Sequence, residues 1–207
     1  MVVCLFLVGG FLGFSSLTHL VDNFGEYLTA SIIIADVTSV YWFVYGKYIN
    51  RDRIFPENQS HIYQFFMGSI LYPRVLNNRV DIKMVSECRW SWLTLFLITA
   101  SASVKQFELT GWKWFSPELG MLLLGHWLYS NATVKGEHYI PGTWDMFRER
   151  YGWMLNFWNI AGVPYLYCFQ SLYVLKNYES LGENWGRAVY ILYLILCYCI
   201  LLVGYYS

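Results

Sequence analysis

The chain has 207 residues and a formal net charge of zero, with 14 basic and 14 acidic side chains. Hydrophobic residues make up 57% and charged residues only 14%, which is too little polar surface to coat a soluble globule. This composition excludes a disordered chain. The zero net charge removes the positive surface that nucleic-acid binders carry, so the sequence predicts an integral membrane protein.

A helix needs about 20 residues to cross a bilayer. The chain has five or six apolar stretches that are long enough. We therefore expect a single membrane domain over 1–207, an all-α, polytopic bundle of transmembrane helices. The first stretch has no basic residue before it and no small-residue cleavage site after it, so we expect a true span rather than a signal peptide. The predicted spans are Met1–Leu20, Leu28–Tyr45, Ser91–Phe107, Leu119–Val134, Trp153–Leu175 and Ala188–Tyr206.

The basic residues predict which connections face the cytosol. The connection 46–90 holds seven Lys or Arg residues and 135–152 holds three, whereas 21–27 holds none. By the positive-inside rule, the loops 46–90 and 135–152 and the C-terminus are cytosolic. The glycosylation sequons at Asn58 and Asn131 would then lie on the cytosolic side, and we expect both to stay unmodified.

Cysteine and histidine usage argues against cross-links and metals. The five cysteines are scattered and odd in number, which suits neither a disulfide framework nor a zinc site, so we expect small buried hydrophobes. The four histidines include no H-E-x-x-H motif. We predict no metal site.

Polar side chains inside predicted spans are the first functional candidates. Asp36 is the carboxylate that lies clearly within a span, and such a group is a functional hypothesis by default. The alternative is a packing carboxylate that bonds Thr38, Ser39 or a neighbouring helix. His126 presents the same choice between a ligand and an interhelical hydrogen bond.

The segment 131–170 combines a short charged loop with a span rich in aromatic and amide side chains and interrupted by Pro164. Amides at membrane depth have to face protein or a cavity, because lipid offers them no hydrogen bond. The segment therefore suggests a ligand pocket that opens on the cytosol, with an interfacial loop of anchoring aromatics as the alternative. A broken-helix transporter is a further interpretation, but it predicts an inverted repeat that we do not find.

This segment resembles the fungal sterol reductases that reduce the C-24(28) double bond at the end of ergosterol synthesis. The resemblance covers the chain from about Gly25 onward, and the run from Asn156 is specific to this branch rather than to the reductases of sterol carbons 14 and 7. The matching residues are Lys135-Gly-Glu137, Trp144-Asp-Met146, the run Tyr151–Asn177 and Met67-Gly-x-x-Leu-x-Pro-Arg74, with Tyr72 where the family signature has Asn.

The resemblance implies a multi-pass enzyme of the endoplasmic reticulum membrane that takes a hydride from NADPH. An acidic side chain would protonate the second alkene carbon. The implied partners are a sterol substrate, the lipid bilayer and other sterol-pathway enzymes. The implied catalytic residues are Glu137, Asp145, Tyr165 and Tyr167, the substrate-binding residues Trp144, Trp153, Asn156 and Trp158, and the cofactor-binding residues Arg148 and Arg150.

The relatives continue well beyond the position of Ser207, and that further part carries much of their NADPH site. His138, where the family tends to have a second Glu, is a smaller departure. The resemblance therefore predicts the N-terminal and central part of a sterol reductase. A non-catalytic sterol-binding membrane protein derived from the same fold is the alternative.

Overall fold

The computed structural model describes residues 17–49, 59–111, 116–137, 150–180 and 187–206. These residues are mostly helical, which confirms the all-α prediction. The helices are α1 (His19–Asp22), α2 (Phe24–Val44), α3 (His61–Met67), α4 (Ile82–Val85), α5 (Trp92–Leu109), α6 (Pro117–Lys135), α7 (Trp153–Phe157), α8 (Phe169–Asn177) and α9 (Arg187–Tyr206). The described π-helical segments are Tyr45–Ile49, Ser86–Ser91 and Trp158–Leu166, and the strands are β1 (Arg74–Val75) and β2 (Val80–Asp81).

The chain divides into two compact units. The first unit draws on Met1–Phe24, Leu93–Ala132 and Tyr167–Ser207, and the second on Gly25–Trp92 and Thr133–Leu166. The first unit therefore holds α1, α8, α9 and most of α5 and α6. The second holds nearly all of α2, the π-helical segments, α3, α4, α7 and both strands.

The first unit packs helices around a small apolar core and a buried polar cluster. Ala102, Leu119 and Val174 form the core. In the polar cluster, the Thr99 hydroxyl lies 2.8 Å from His126 Nδ1 and 3.1 Å from the Ser171 hydroxyl. These contacts link α5, α6 and α8, so His126 makes the interhelical hydrogen bond that was one of its two predicted roles.

The second unit packs α2 against the segments that follow it. Its apolar core contains Trp42, Ile70 and Tyr151. The backbone of Gly68 runs so close to Gly152 that a Cβ at Gly68 would lie 2.5 Å from the Gly152 nitrogen. The φ angle of Gly68 is +104°, a value that favours glycine.

A hairpin that the sequence did not predict lies within the connection 46–90. Strands β1 and β2 pair antiparallel, with Arg74 opposite Asp81. Asp81 also accepts a hydrogen bond from the Met84 backbone N–H at 3.2 Å and so caps α4. The hairpin and the cap position α4 and the π-helical segment after it.

The predicted spans correspond to helices in part. Residues Phe24–Ile49 form the one helix within the described ranges that is long and apolar enough to cross a membrane, and Ala188–Gly204 is a shorter apolar helix. Helices α5, α6 and α9 begin and end within a few residues of three other predicted spans, whereas the predicted span Trp153–Leu175 is divided by a turn at 167–168. The first predicted span lies almost wholly outside the described residues, so five to six spans stays a prediction.

Helices α2 and α9 carry large apolar side chains that are exposed, and exposing so much apolar surface to water would be unfavourable. Val37 on α2 is 62% exposed, and Leu192 and Val203 on α9 are 66% and 68% exposed. Large apolar surfaces of this kind mark a membrane or protein contact. Together with the apolar helix Phe24–Ile49, they indicate a membrane protein.

Candidate functional site

The candidate site lies within the second unit, around the side chain of Asn156. This residue is on α7 and is only 1% exposed. Its amide nitrogen lies 2.9 Å from the Ala35 carbonyl oxygen, 2.7 Å from Thr38 Oγ1 and 2.9 Å from Ser39 Oγ. All three acceptors belong to α2, so one buried amide fixes α7 against the apolar helix.

The opposite end of the same amide continues the polar network. The Tyr151 hydroxyl donates to Asn156 Oδ1 and lies 3.2 Å from the Ser86 hydroxyl. Asn159 donates to the same Ser86 oxygen at 3.2 Å. Burial raises the pKa of the Tyr151 phenol well above its usual value, so Tyr151 stays neutral. The network is thus a chain of neutral groups, which a low-dielectric surrounding tolerates.

Asp36 bonds a neighbouring helix, which was one of its two predicted alternatives. The Trp153 indole N–H donates to Asp36 Oδ1 at 2.7 Å. The indole also stacks on Phe157 with ring centroids 4.9 Å apart, and Phe66 lies 5.8 Å away. The carboxylate therefore holds one ring of a small aromatic group in place.

A cavity of about 170 Å³ lies beside this network. Its wall is largely apolar, and all the residues that line it belong to the second unit. The lining includes Ile34, Thr38, Trp42, Val85, Tyr151 and Asn156.

Glu137, a predicted catalytic acid, forms an ion pair with Arg89. Its Oε2 lies 2.5 Å from Arg89 Nη2, and the two side chains are 27% and 52% exposed. The Thr133 hydroxyl donates to the Cys88 carbonyl at 3.4 Å, close to this pair. These two contacts therefore hold the C-terminal end of α6 against the π-helical segment Ser86–Ser91.

The other predicted site residues are not brought together within the described ranges. Trp158 is 42% exposed and meets Phe157 edge to face, whereas Tyr165 is only 4% exposed. Tyr167 belongs to the first unit and is 47% exposed. Asp145, Trp144, Arg148 and His138 lie outside the described residues.

NADPH carries several phosphate groups, and these call for a cluster of cations. Arg89 pairs with Glu137, and Arg74 lies 3.8 Å from Asp81. Arg150, which is half-buried, is the described member of the predicted cofactor pair. Arg148, the other member of this pair, lies outside the described residues, so the cofactor site stays a prediction. No group of three or more potential metal ligands occurs among the described residues.

Sequence reasoning missed two residues of the network, Tyr151 and Ser86. Tyr151 precedes the predicted span, and Ser86 sits in a connection that was expected to be a loop. A signal for Tyr151 was present, because a tyrosine directly before Gly152 and an apolar run is a candidate for burial. Nothing in the sequence around Ser86 distinguished it from other serines.

Comparison with known proteins gives a consistent set of similarities. Residues 1–206 match the model of the ergosterol biosynthesis ERG4/ERG24 family. The chain is 38% identical over 180 residues to a Delta(24(24(1)))-sterol reductase of Aspergillus fumigatus, which covers 87% of this chain and 37% of that protein. It is 37% identical over 169 residues to the Delta(24(24(1)))-sterol reductase of Gibberella zeae, covering 82% of this chain and 27% of that protein.

A second group of relatives is more distant. The chain is 29% identical to the Delta(14)-sterol reductase of Methylotuvimicrobium alcaliphilum over 84% of this chain and 39% of that protein. In all three cases the chain spans between about a quarter and two fifths of the relative's length.

Proposed function

The chain belongs to the ergosterol biosynthesis ERG4/ERG24 family, and from this premise we propose that it serves the NADPH-dependent reduction of the C-24(28) double bond of an ergosterol precursor. The observation that carries the choice of bond is the difference in identity between the two groups of relatives. Identity is 38% and 37% to two Delta(24(24(1)))-sterol reductases and 29% to a Delta(14)-sterol reductase.

The geometry of the second unit supports a sterol-binding role. Asn156 and Tyr151 satisfy each other and their neighbours, and an apolar cavity remains beside them. A sterol is almost entirely hydrocarbon, so the apolar wall suits it, and a cavity of about 170 Å³ would receive a part of the molecule rather than the whole of it. In this proposal, Trp153 and Asn156 position the cleft, and Trp144 and Trp158 complete its lining.

The reaction adds a hydride to one alkene carbon and a proton to the other, so that the double bond becomes a single bond and two C–H bonds form. NADPH would supply the hydride and become NADP⁺. As proton donors we propose Glu137, Asp145, Tyr165 or Tyr167, with Arg148 and Arg150 toward the cofactor phosphates. Glu137 contacts Arg89 in the structure, so it would reach the alkene only in a state in which this ion pair has opened.

The proposed setting is the endoplasmic reticulum membrane. We propose a single multi-pass membrane domain of five or six spans with cytosolic loops 46–90 and 135–152, where NADPH is available. The apolar helix Phe24–Ile49 supports a membrane location. Association with other enzymes of the sterol pathway would allow poorly soluble intermediates to pass directly from one enzyme to the next.

The proposal is tested in a fungal strain whose own enzyme for this bond is deleted. Expression of the chain should convert the accumulated 24-methylene sterol into the product saturated at that bond, measured by gas chromatography and mass spectrometry of microsomal sterols. Glu137→Gln should lower the conversion if Glu137 is the donor. The matched control Glu179→Gln, at an exposed position, should not.

A non-catalytic sterol-binding protein is the second candidate, because the apolar cavity of the second unit would serve binding without catalysis equally well. It predicts that microsomes containing the chain bind the 24-methylene sterol but never convert it, even with NADPH added. Absence of both binding and conversion would contradict both candidates.

A further inference from the structure

Helix α3 has its apolar side chains on the outside and a polar one on the inside. Ile62 is 82% exposed, Tyr63 48% and Phe66 40%, whereas Gln64 is only 8% exposed. The Gln64 amide donates to the Gln59 carbonyl at 2.9 Å, so the buried polar group is satisfied. A surface helix in water shows the opposite arrangement, with its polar side chains outward. The exposed face of α3, formed by Ile62, Tyr63 and Phe66, therefore suits an apolar surrounding better than water.

Two contacts place α3 beside the C-terminal end of α2 and the π-helical segment that follows it. Phe65 on α3 meets Phe43 on α2 edge to face, with ring centroids 5.7 Å apart. The Lys47 ammonium donates to the His61 ring and lies 3.4 Å from Gln64 Oε1. All these residues belong to the second unit. The level of α3 along the apolar helix is therefore that of Phe43 to Lys47.

The length of the apolar helix sets this level relative to a bilayer. Phe24–Ile49 contains 26 residues, which gives about 39 Å at the usual rise per residue, whereas the hydrocarbon core of a bilayer is about 30 Å thick. The ends of the helix therefore extend into the headgroup region. Tyr41 and Tyr48 near its C-terminal end are 55% and 61% exposed, and tyrosine is enriched at this boundary. Helix α3 thus lies at the boundary between acyl chains and headgroups.

Lys47 supplies a positive charge at the same level. Among the described residues, its hydrogen bonds go to the His61 ring and the Gln64 amide, and neither of these carries a negative charge. The ammonium also lies 5.3 Å from the centre of the Phe43 ring and 5.7 Å from that of the Tyr48 ring. A lysine at the surface of a membrane attracts the headgroups of anionic lipids.

We propose that the exposed face of α3 is a lipid-binding surface that lies in the bilayer boundary, and that Lys47 binds the headgroup of an anionic phospholipid there. Ile62 and Phe66 contact acyl chains, and Tyr63 places its ring among them and its hydroxyl among the headgroups. This inference goes beyond sterol reduction and does not depend on it. Part of the connection 46–90 is then a membrane contact, and only the remainder of it is cytosolic.

The lipid contact is tested by photo-crosslinking of the full chain in nanodiscs of phosphatidylcholine and phosphatidylserine. Photoreactive benzoylphenylalanine replaces Ile62 or, as the matched control, Leu76, which lies in the same connection, is 73% exposed and precedes the polar pair Asn77 and Asn78. We expect phospholipid adducts, detected by mass spectrometry of the intact chain, with the probe at position 62 and not at position 76. Equal adduct yields at the two positions, or a crosslinked dimer of the chain at position 62, would overturn the proposal.

The role of Lys47 is measured in the same nanodiscs with the probe at position 62. Phosphatidylserine should be enriched about fivefold among the adducts relative to its share of the nanodisc, which is the attraction expected of one lysine at an anionic surface. Lys47→Gln should remove this enrichment and keep the adducts, because the apolar face remains. The matched control Arg79→Gln, at an exposed position of the hairpin, should keep the enrichment. No enrichment in the wild type, or an equal loss in both variants, would refute the binding of an anionic headgroup by Lys47.

Discussion

The buried amide of Asn156 is expected to contribute strongly to the stability of the second unit. Its nitrogen and oxygen connect α2, α7 and Tyr151, and the side chain is 1% exposed. Replacement by alanine removes the amide and leaves the Tyr151 hydroxyl with only the more distant Ser86 oxygen. We therefore predict that Asn156→Ala destabilises the chain strongly for a single side chain.

The magnitude follows from counting the bonds that are lost. Two amide N–H bonds to α2 and one bond from the Tyr151 hydroxyl disappear. Buried hydrogen bonds contribute about 0.5–1.5 kcal/mol each in water-soluble proteins and about 0.6 kcal/mol on average between membrane helices. The free energy of unfolding should fall by about 2–3 kcal/mol, since Thr38 and Ser39 keep their own bonds to helix carbonyls.

The measurement is reversible unfolding by sodium dodecyl sulfate in mixed micelles, followed by tryptophan fluorescence. Asn177→Ala is the matched control, because that amide bonds only the Tyr173 carbonyl of its own helix on the surface, and it should cost less than about 0.5 kcal/mol. Tyr151→Phe combined with Asn156→Ala should cost about 1 kcal/mol less than the sum of the single variants. Equal effects of Asn156→Ala and Asn177→Ala would refute the role of the network.

Two further predictions concern the remaining local features. The Thr18 hydroxyl donates to the Asp22 carboxylate, and Lys105 pairs with it, so the pKa of Asp22 is lowered. Its contribution to stability is present above the unfolded-state pKa and is lost as the pH falls below about 4, and Asp22→Asn should remove this part of the pH dependence of unfolding. Gly68→Ala should destabilise the chain by about 1–3 kcal/mol, because φ is +104° and the new Cβ would clash with Gly152, whereas Gly25→Ala, which meets open space, should be neutral or stabilising.

Hydropathy predicted the long helices well, because each of them corresponds to a long apolar stretch that can be read directly from the sequence. The ends of α5, α6 and α9 fall within a few residues of the predicted spans. Hydropathy did not predict the short elements within the connection 46–90. Its hairpin and its helices α3 and α4 are short, and their stability comes from caps such as Asp81 and from close contacts such as Gly68 against Gly152, which a hydropathy pattern does not contain.

The candidate site could be predicted where polar residues interrupt apolar helices, and only there. Asn156 and Asp36 stand out in the sequence because lipid cannot satisfy an amide or a carboxylate, and in the structure both bond across α2 and α7. Their partners did not stand out, because Ser86 and the Ala35 carbonyl look like many others along the chain. A polar residue in an apolar helix therefore predicts that a contact exists, whereas the identity of the contact depends on how the helices cross.

The crossing of α2 and α7 also explains why the cavity lies where it does. Asn156 holds the two helices together on one side of α7, and the Trp153 bond to Asp36 fixes them one turn earlier. The cavity lies beside these two bonds, and Trp42 and Trp90 are among the residues that line it. The same two bonds that stabilise the crossing thus determine the shape of the proposed sterol pocket, and for this reason Asn156→Ala should weaken sterol binding even though the cavity wall itself is apolar.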